Sequence, residues 1–204
     1  PRKTAVHQGR PMGEILVQPL IWAAIGAAAI GYAVMSFIMT ATPLSMTEMA
    51  GHSLQDAKQV IQIHIVAMYL PSLISGWLTR TLGLPVMLVT GLLAYLACVL
   101  LALSGIDFHH YLSGLILLGI GWNFLFVGGT TLLPKGYNDE ERFRVQGLND
   151  LMVFGSQATA ALTAGLALSV FGWSGVLLLA LPLLALQAIL IAAWQWRERR
   201  AMAG

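Results

Sequence analysis

The sequence predicts an all-α membrane protein with six transmembrane helices, arranged as two inverted three-helix repeats. Three observations carry this. The 204-residue chain is 57% hydrophobic and only 10% charged, where soluble domains carry about 25% charged residues. Its mean hydropathy is +0.76. Its apolar residues fall into six runs separated by short polar connections, and each run approaches the roughly 20 residues that cross a bilayer.

The runs cover about residues 19–42, 57–78, 84–104, 111–133, 145–171 and 173–196. Barrel strands are about 10 residues long with alternating polarity; these runs are longer and do not alternate. The expected organisation is therefore a cytoplasmic linker at 1–18, a helical bundle at 19–196 and a cytoplasmic tail at 197–204. The opening Pro1-Arg2-Lys3 has no initiator Met and no apolar signal core behind it, so the chain is expected to be a piece of a longer protein.

Lys and Arg set the orientation. With the N-terminus inside, Arg2, Lys3, Arg10, Arg80, Lys135, Arg142, Arg144, Arg197, Arg199 and Arg200 lie on the inner side, and only Lys58 lies outside. Cytoplasmic loops hold such an excess, so both ends are expected in the cytoplasm of a cell whose inner membrane holds the protein. The net charge of +2 is spread over loop ends, so no nucleic-acid partner is expected. A lone cysteine, Cys98, excludes an intrachain disulfide and a cysteine-based metal site. Neither metal nor cofactor is expected. Trp22, Trp77, Trp173, Trp194 and Trp196 lie near run ends, as interfacial anchors do.

The runs divide into two triplets, beginning near residues 19, 57 and 84, then 111, 145 and 173. In each triplet a long polar connection follows the first run and a short one follows the second. The first triplet starts inside and the second outside, so the repeat is inverted, as in transporter halves. The third and sixth runs have no Asn, Asp, Glu, His, Lys or Arg before Trp196. They are expected to face lipid, while the second and fifth, richer in polar groups, face something wet or packed.

Polar groups inside these runs are the candidate site. Trp122 and Asn123 fall near the middle of the fourth run, with Gly119, Gly121, Gly128 and Gly129 around them, at the depth where transporter sites tend to lie. In the fifth run Gln146, Asp150 and Gln157 share a helical stripe, with Asn149 and Ser156 beside it. In the second run Gln62 and Tyr69 share a line, and in the first Tyr32 begins a polar outer half. Trp122, Asn123, Gln157, Gln62, Tyr69 and Tyr32 are thus candidates for a solute pathway; the competing role for each is helix packing. His64 lies roughly 10 Å inside the outer end at about 1.5 Å per residue. There it is either a proton-coupling group or a neutral hydrogen-bonding one. Asp150 lies early in its helix, where the positive end of the helix dipole favours an anion. Pro71 and Pro182 are expected to bend the second and sixth runs.

Two stretches resemble the major facilitator superfamily, specifically its C-terminal six-helix half. Gly76-Trp77-Leu78-Thr79-Arg80-Thr81-Leu82-Gly83 is similar to the family's G-x-L-x-D-R-x-G-R-R loop. Gly76, Leu78 and Gly83 match at the right spacing, Arg80 stands at the Asp position, and Leu84 and Pro85 replace the trailing basic pair. Arg144-Val145-Gln146-Gly147-Leu148-Asn149-Asp150, continuing to Phe154-Gly155-Ser156, is similar to a loop and helix entry in bacterial permeases of the family. The resemblance implies a secondary carrier of a small solute that works by alternating access, with an N-terminal six-helix half as its partner. It implies that the first, second, fourth and fifth helices of this half approach the cavity. It also makes Asp150, with Asn149 beside it, the candidate contact with the opposite half at the inner gate; Arg80 of the signature-like loop and, from its own chemistry and depth, His64 are the further candidates for gating or for coupling to a proton.

Enzyme signatures such as Gly-x-Ser-x-Gly and His-Glu-x-x-His are missing. The alternatives are a six-span intramembrane enzyme, for which His64 with Ser72 or Ser75 is the one candidate pair, and a non-transporting membrane scaffold.

Overall fold

The computed structural model describes residues 9–203. Among these residues there is no strand. The chain forms α1 (Met12–Leu16), α2 (Pro19–Leu44), α3 (Leu54–Tyr69), α4 (Ser72–Leu103), α5 (Phe108–Leu132) and α6 (Arg142–Ala203), with a π-helical turn over Ser45–Met49 and short 3-10 turns over Leu133–Gly136 and Asp139–Glu141. Four helical stretches are long and apolar enough to cross a membrane, starting at Pro19, Ser72, Phe108 and Asp139. With so few charges on the chain, they make it an integral membrane protein.

Local chemistry sets the element ends. Ser53 caps α3: Asp56 N donates to Ser53 Oγ at 3.1 Å, and Ser53 N donates back to Asp56 Oδ2 at 3.2 Å. This capping box starts the helix at Leu54, ahead of the apolar run. At its other end α3 stops at Tyr69, because Pro71 has no amide to donate back to Ala67 and its ring crowds the preceding turn. The helix restarts at Ser72. Pro182, by contrast, lies inside α6, where the non-helical residue is Gly172. The segment expected as a tail is a continuation of α6 to Ala203, with the Arg200 guanidinium 3.8 Å from the centre of the Trp196 ring. Residues 1–8, which include Arg2 and Lys3, lie outside the described residues.

Two of the long helices turn sharp corners at glycine. Gly83 in α4 has φ 79° and ψ 160°, and Gly172 in α6 has φ 67° and ψ −177°. This backbone region is open essentially only to glycine. The corners divide α4 into 72–82 and 84–103, and α6 into 142–171 and 173–203.

Packing centres on α5. In lipid there is no hydrophobic drive between helices, so close approach rests on small residues. A Cβ at Gly129 would fall 2.6 Å from Ala24 O of α2, and one at Gly119 would fall 2.9 Å from His64 O of α3. One at Gly121 would fall 2.5 Å from the Tyr95 ring of α4. Three faces of α5 thereby touch three different helices. Tyr95 extends the joint, donating its hydroxyl to Gly31 O of α2 at 2.6 Å. The long α6 packs along α2. Trp173 and Trp194, expected as interfacial anchors, are buried instead, and Trp173 Nε1 donates to Ala102 O at 3.2 Å.

A half-buried ion pair closes the end where the polar 133–141 connection lies. Glu141 is fully buried, and Arg10 grips its carboxylate with Nε on Oε1 at 2.9 Å and Nη2 on Oε2 at 2.8 Å. The backbone amides of Arg10 and Asn138 also donate to it, at 2.8 and 2.9 Å. Arg10 and Gln18 both donate to Gly136 O, and Arg144 donates to Arg10 O. Residues 9–18 are therefore fastened to the loop ahead of α6, and Ile15 joins the core.

Gly83→Ala and Gly172→Ala should each lower stability by about 1–3 kcal/mol, the cost of a glycine-only conformation. Gly165→Ala, with open space around its Cβ, should not; thermal unfolding in detergent compares the three. Glu141→Gln sets an NH2 donor against the donors that now meet a carboxylate oxygen and removes the counter-ion of Arg10, so it should release the N-terminal segment. The expected result is a lower unfolding temperature and faster amide exchange over residues 9–16, with Glu140→Gln, on an exposed carboxylate, as the silent control.

Candidate functional site

Trp122 sits near the middle of α5 and is only 3% exposed. It stacks on Phe126, one turn along the same helix, at 5.1 Å between centroids and 8° between planes. Tyr32 of α2 meets both rings edge-on, at 5.1 and 5.2 Å. Tyr69 of α3 meets Trp122 at 5.8 Å, and Phe154 of α6 meets Tyr32 at 6.3 Å. Five rings from four helices thus form one cluster. Tyr69 and Phe154, at its ends, are each 57% exposed.

Three of the six candidate pathway residues, Tyr32, Tyr69 and Trp122, are brought together here. Phe126 and Phe154 complete the cluster and were not singled out by sequence, where an apolar aromatic reads as ordinary bulk. The four-residue step from Trp122 to Phe126 was the available signal. Gln62 is exposed on α3. Gln157 is half-buried on α6, on the same helical face as Phe154.

Asn123 lies next to Trp122 in sequence but points elsewhere, since consecutive helical residues diverge around the axis. It is fully buried, and its Nδ2 donates to Met68 O at 2.7 Å and to Ser72 Oγ at 2.6 Å. These two acceptors bracket the Pro71 break. Asn123 therefore splices α3 to α4 from the side, supplying donors where proline interrupts the backbone ladder.

His64 is also buried, with Nδ1 2.7 Å from Leu115 O. A carbonyl only accepts, so Nδ1 carries the hydrogen, and in the neutral ring Nε2 is an acceptor. Nε2 is buried without a protein partner. Asn149 Nδ2 donates to the exposed Asp150 at Oδ1, 3.1 Å away. Arg80 is exposed and donates Nε to Gly76 O of its own helix at 3.1 Å. Among the described residues no hydrogen bond or ion pair joins His64, Asp150 and Arg80. Ser72 accepts from Asn123 and Ser75 donates to Ser72 O, so neither serine pairs with His64.

Gln187 escaped the sequence reading, which took the sixth run as lipid-facing. It is fully buried, and Nε2 donates to Ala23 O of α2 at 3.3 Å. A Cβ at Gly26 would fall 2.6 Å from Gln187 Oε1, so glycine makes room for the amide. A lone glutamine in an apolar stretch was the available signal. A cleft of about 460 Å³ lies nearby between α2 and both arms of α6, lined mainly by apolar groups with Ser156, Thr159 and Thr163.

The chain is 39% identical over 183 residues to "Riboflavin transporter RfnT" of Brucella anthropi, covering 89% of this chain and 46% of that protein. It is 38% identical over 171 residues to "Uncharacterized MFS-type transporter YdeG" of Bacillus subtilis, covering 82% of this chain and 38% of that protein. "Uncharacterized MFS-type transporter YddS" of the same organism is 32% identical over 167 residues, with shares of 81% and 38%. The chain thus spans less than half the length of the curated relatives it matches. The family model described as Major Facilitator Superfamily matches residues 10–204. Matched along nearly its whole length, this all-helical, apolar chain belongs to the major facilitator superfamily.

Proposed function

We propose that this chain is one six-helix half of a permease that carries a small solute across the inner membrane by alternating access. The observation that carries the reading is the pair of glycine corners. Gly83 and Gly172 have the same left-handed, extended backbone, and each divides one long helix into two rods. Counted with α2, with α3 running on through 72–82, and with α5, the helical mass becomes six rods in two triplets. Each corner stands between the second and third rod of its triplet. Three rods are an odd number of crossings, so the second triplet enters the membrane opposite to the first, the inverted plan of transporter halves.

The partner in this reading is the N-terminal six-helix bundle of the same protein, and residues 1–18 are the linker to it. The clasp of Arg10 on Glu141 supports this, since it fastens the entering chain to the connection that precedes residues 142–171. Both ends face the cytoplasm, where the basic residues cluster. Transport in place of enzymatic chemistry fits the family and the named relatives. Riboflavin, from the name of the Brucella anthropi relative, is the first solute to test.

His64 is the proposed proton site: its Nε2 is a buried acceptor, and histidine changes charge near neutral pH. Asp150, exposed at the start of α6, is the proposed contact to the other bundle at the inner gate, with Asn149 holding its carboxylate and Arg80 near the neighbouring corner.

In the full-length protein, cysteines at Gly51 and Asp107 should react with an impermeant thiol reagent from outside and one at Asn138 should not. Proteoliposomes holding the full-length protein should move the solute, and those holding this chain alone should not. Labelling of Asn138 in intact cells, or flux through the chain alone, would overturn the reading. His64→Gln should flatten the dependence of uptake on pH between about 5 and 8. Asp150→Asn should leave that dependence intact and raise the ratio of inward-open to closed protein about fivefold or more, read by distance measurements across the inner gate; an unchanged ratio removes Asp150 from the gate.

A further inference from the structure

The ring cluster has a depth as well as a shape. Tyr32 lies close to the middle of α2, Trp122 close to the middle of α5 and Phe154 close to the middle of 142–171. Tyr69 lies close to the middle of the stretch 54–82. The rings therefore share one layer, half-way along the helices that present them. Other exposed aromatics of the chain sit elsewhere. Phe143 opens α6, Phe171 adjoins the Gly172 corner, Trp196 lies near the end of α6 and Trp77 lies in the stretch leading to the Gly83 corner, toward helix ends as aromatic residues of a membrane interface do. The large mid-helix side chains exposed on the remaining faces include the aliphatic Leu93, Leu162 and Ile189, beside the smaller Thr159 and Thr163. Acyl chains are met equally well by Leu and Ile, so lipid gives no reason for Tyr69 and Phe154 to stand exposed in a layer of rings.

The cluster also has an order. Tyr69, Trp122, Tyr32 and Phe154 touch in sequence, with Phe126 stacked behind Trp122. The inner rings are held by their neighbours and by burial, so they do not need to be ordered when something binds, which keeps the entropic cost low. The outer rings offer free surface. The four rings carry no formal charge, and the exposed Asp150 lies one turn from Phe154 on α6, so an anionic group would lose its hydration there against a like charge. A planar π-system gains the most, since ring faces and edges attract one another in offset-stacked and T-shaped arrangements. Gln157, on the Phe154 face, supplies a nearby donor and acceptor for polar edge groups of such a ring.

We propose that Tyr69, Trp122, Tyr32 and Phe154 form a mid-membrane shelf that binds the neutral, planar aromatic ring system of the transported solute. The proposal rests on the carrier reading and deepens it: the shelf recognises the ring and leaves any flexible chain of the solute to contacts elsewhere.

The test uses the full-length permease with riboflavin, with lumichrome as the bare ring system and with ribitol as the ring-free chain. Binding in detergent is followed by quenching of flavin fluorescence, and flux is followed in proteoliposomes. Riboflavin and lumichrome should bind and compete with each other, and ribitol should compete with neither. Tyr69→Leu and Phe154→Leu should each weaken flavin binding about tenfold. Tyr69→Phe, which keeps the ring, should bind within about twofold of wild type, and so should Phe171→Leu, an aromatic outside the shelf. Both leucine variants change exposed side chains and should express as wild type; Tyr69→Phe controls for the fold. Failure to bind either flavin, equal affinity in all variants, or competition by ribitol overturns the shelf. Riboflavin flux that no shelf variant alters overturns the shelf and leaves the carrier standing. Binding with the expected variant pattern but no flux at all supports the shelf and removes the carrier.

Discussion

Backbone contact at the glycines of α5 is the constraint from which the rest of this structure follows. Lipid tails are as apolar as the side chains they would replace, so a helix inside a membrane gains little from merely hiding leucine. What it gains is dispersion contact at close range, which needs small residues where helices meet. Gly119, Gly121 and Gly129 lie on different faces of α5 and admit α3, α4 and α2 respectively. With three neighbours drawn in, Tyr95 can reach Gly31 O, and Tyr32 and Tyr69 can both reach Trp122.

Polar groups then act as the joints of the bundle. A hydrogen bond between helices in hydrocarbon is worth about 1 kcal/mol, so each fixes geometry more than it adds stability. Asn123 shows the principle most clearly. The amide of Asn123 donates across to Met68 O and Ser72 Oγ, one on each side of Pro71. The break in one helix is thereby tied to another. Gln187 does the same between the last rod and α2, in a space that Gly26 leaves open. At the 133–141 end a bidentate, partly exposed arginine satisfies a fully buried carboxylate, so that removing the arginine strands a buried charge.

The functional reading depends on which side chains these joints leave over. Asn123, Gln187 and Tyr95 are committed to helix contacts, while Tyr69, Phe154, Gln62 and Asp150 present free surface. The chain belongs to the major facilitator superfamily and spans less than half the length of the curated relatives it matches, and these side chains are the ones its own packing leaves exposed.

Composition and run length by themselves determined that this is a helical membrane protein, because long apolar runs with few charges leave no other way to satisfy a backbone in lipid. The signature-like stretch 76–83 was enough to point to the family. Position along the runs also marked Tyr32, Tyr69 and Trp122 as candidates for a solute pathway, with Trp122 near the middle of its run. Which of them meet was decided by the tertiary structure, since a helix of nearly uniform apolar character has no amphipathic stripe to show its buried face. The parting of Trp122 and Asn123 into a ring cluster and a helix splice had the same origin, as did the burial of Gln187, Trp173 and Trp194. The Arg10–Glu141 clasp joins residues 131 positions apart, and no local pattern in either segment specifies the other. Sequence periodicity reports what lies along one helix; only the packing of several reports what each side chain touches.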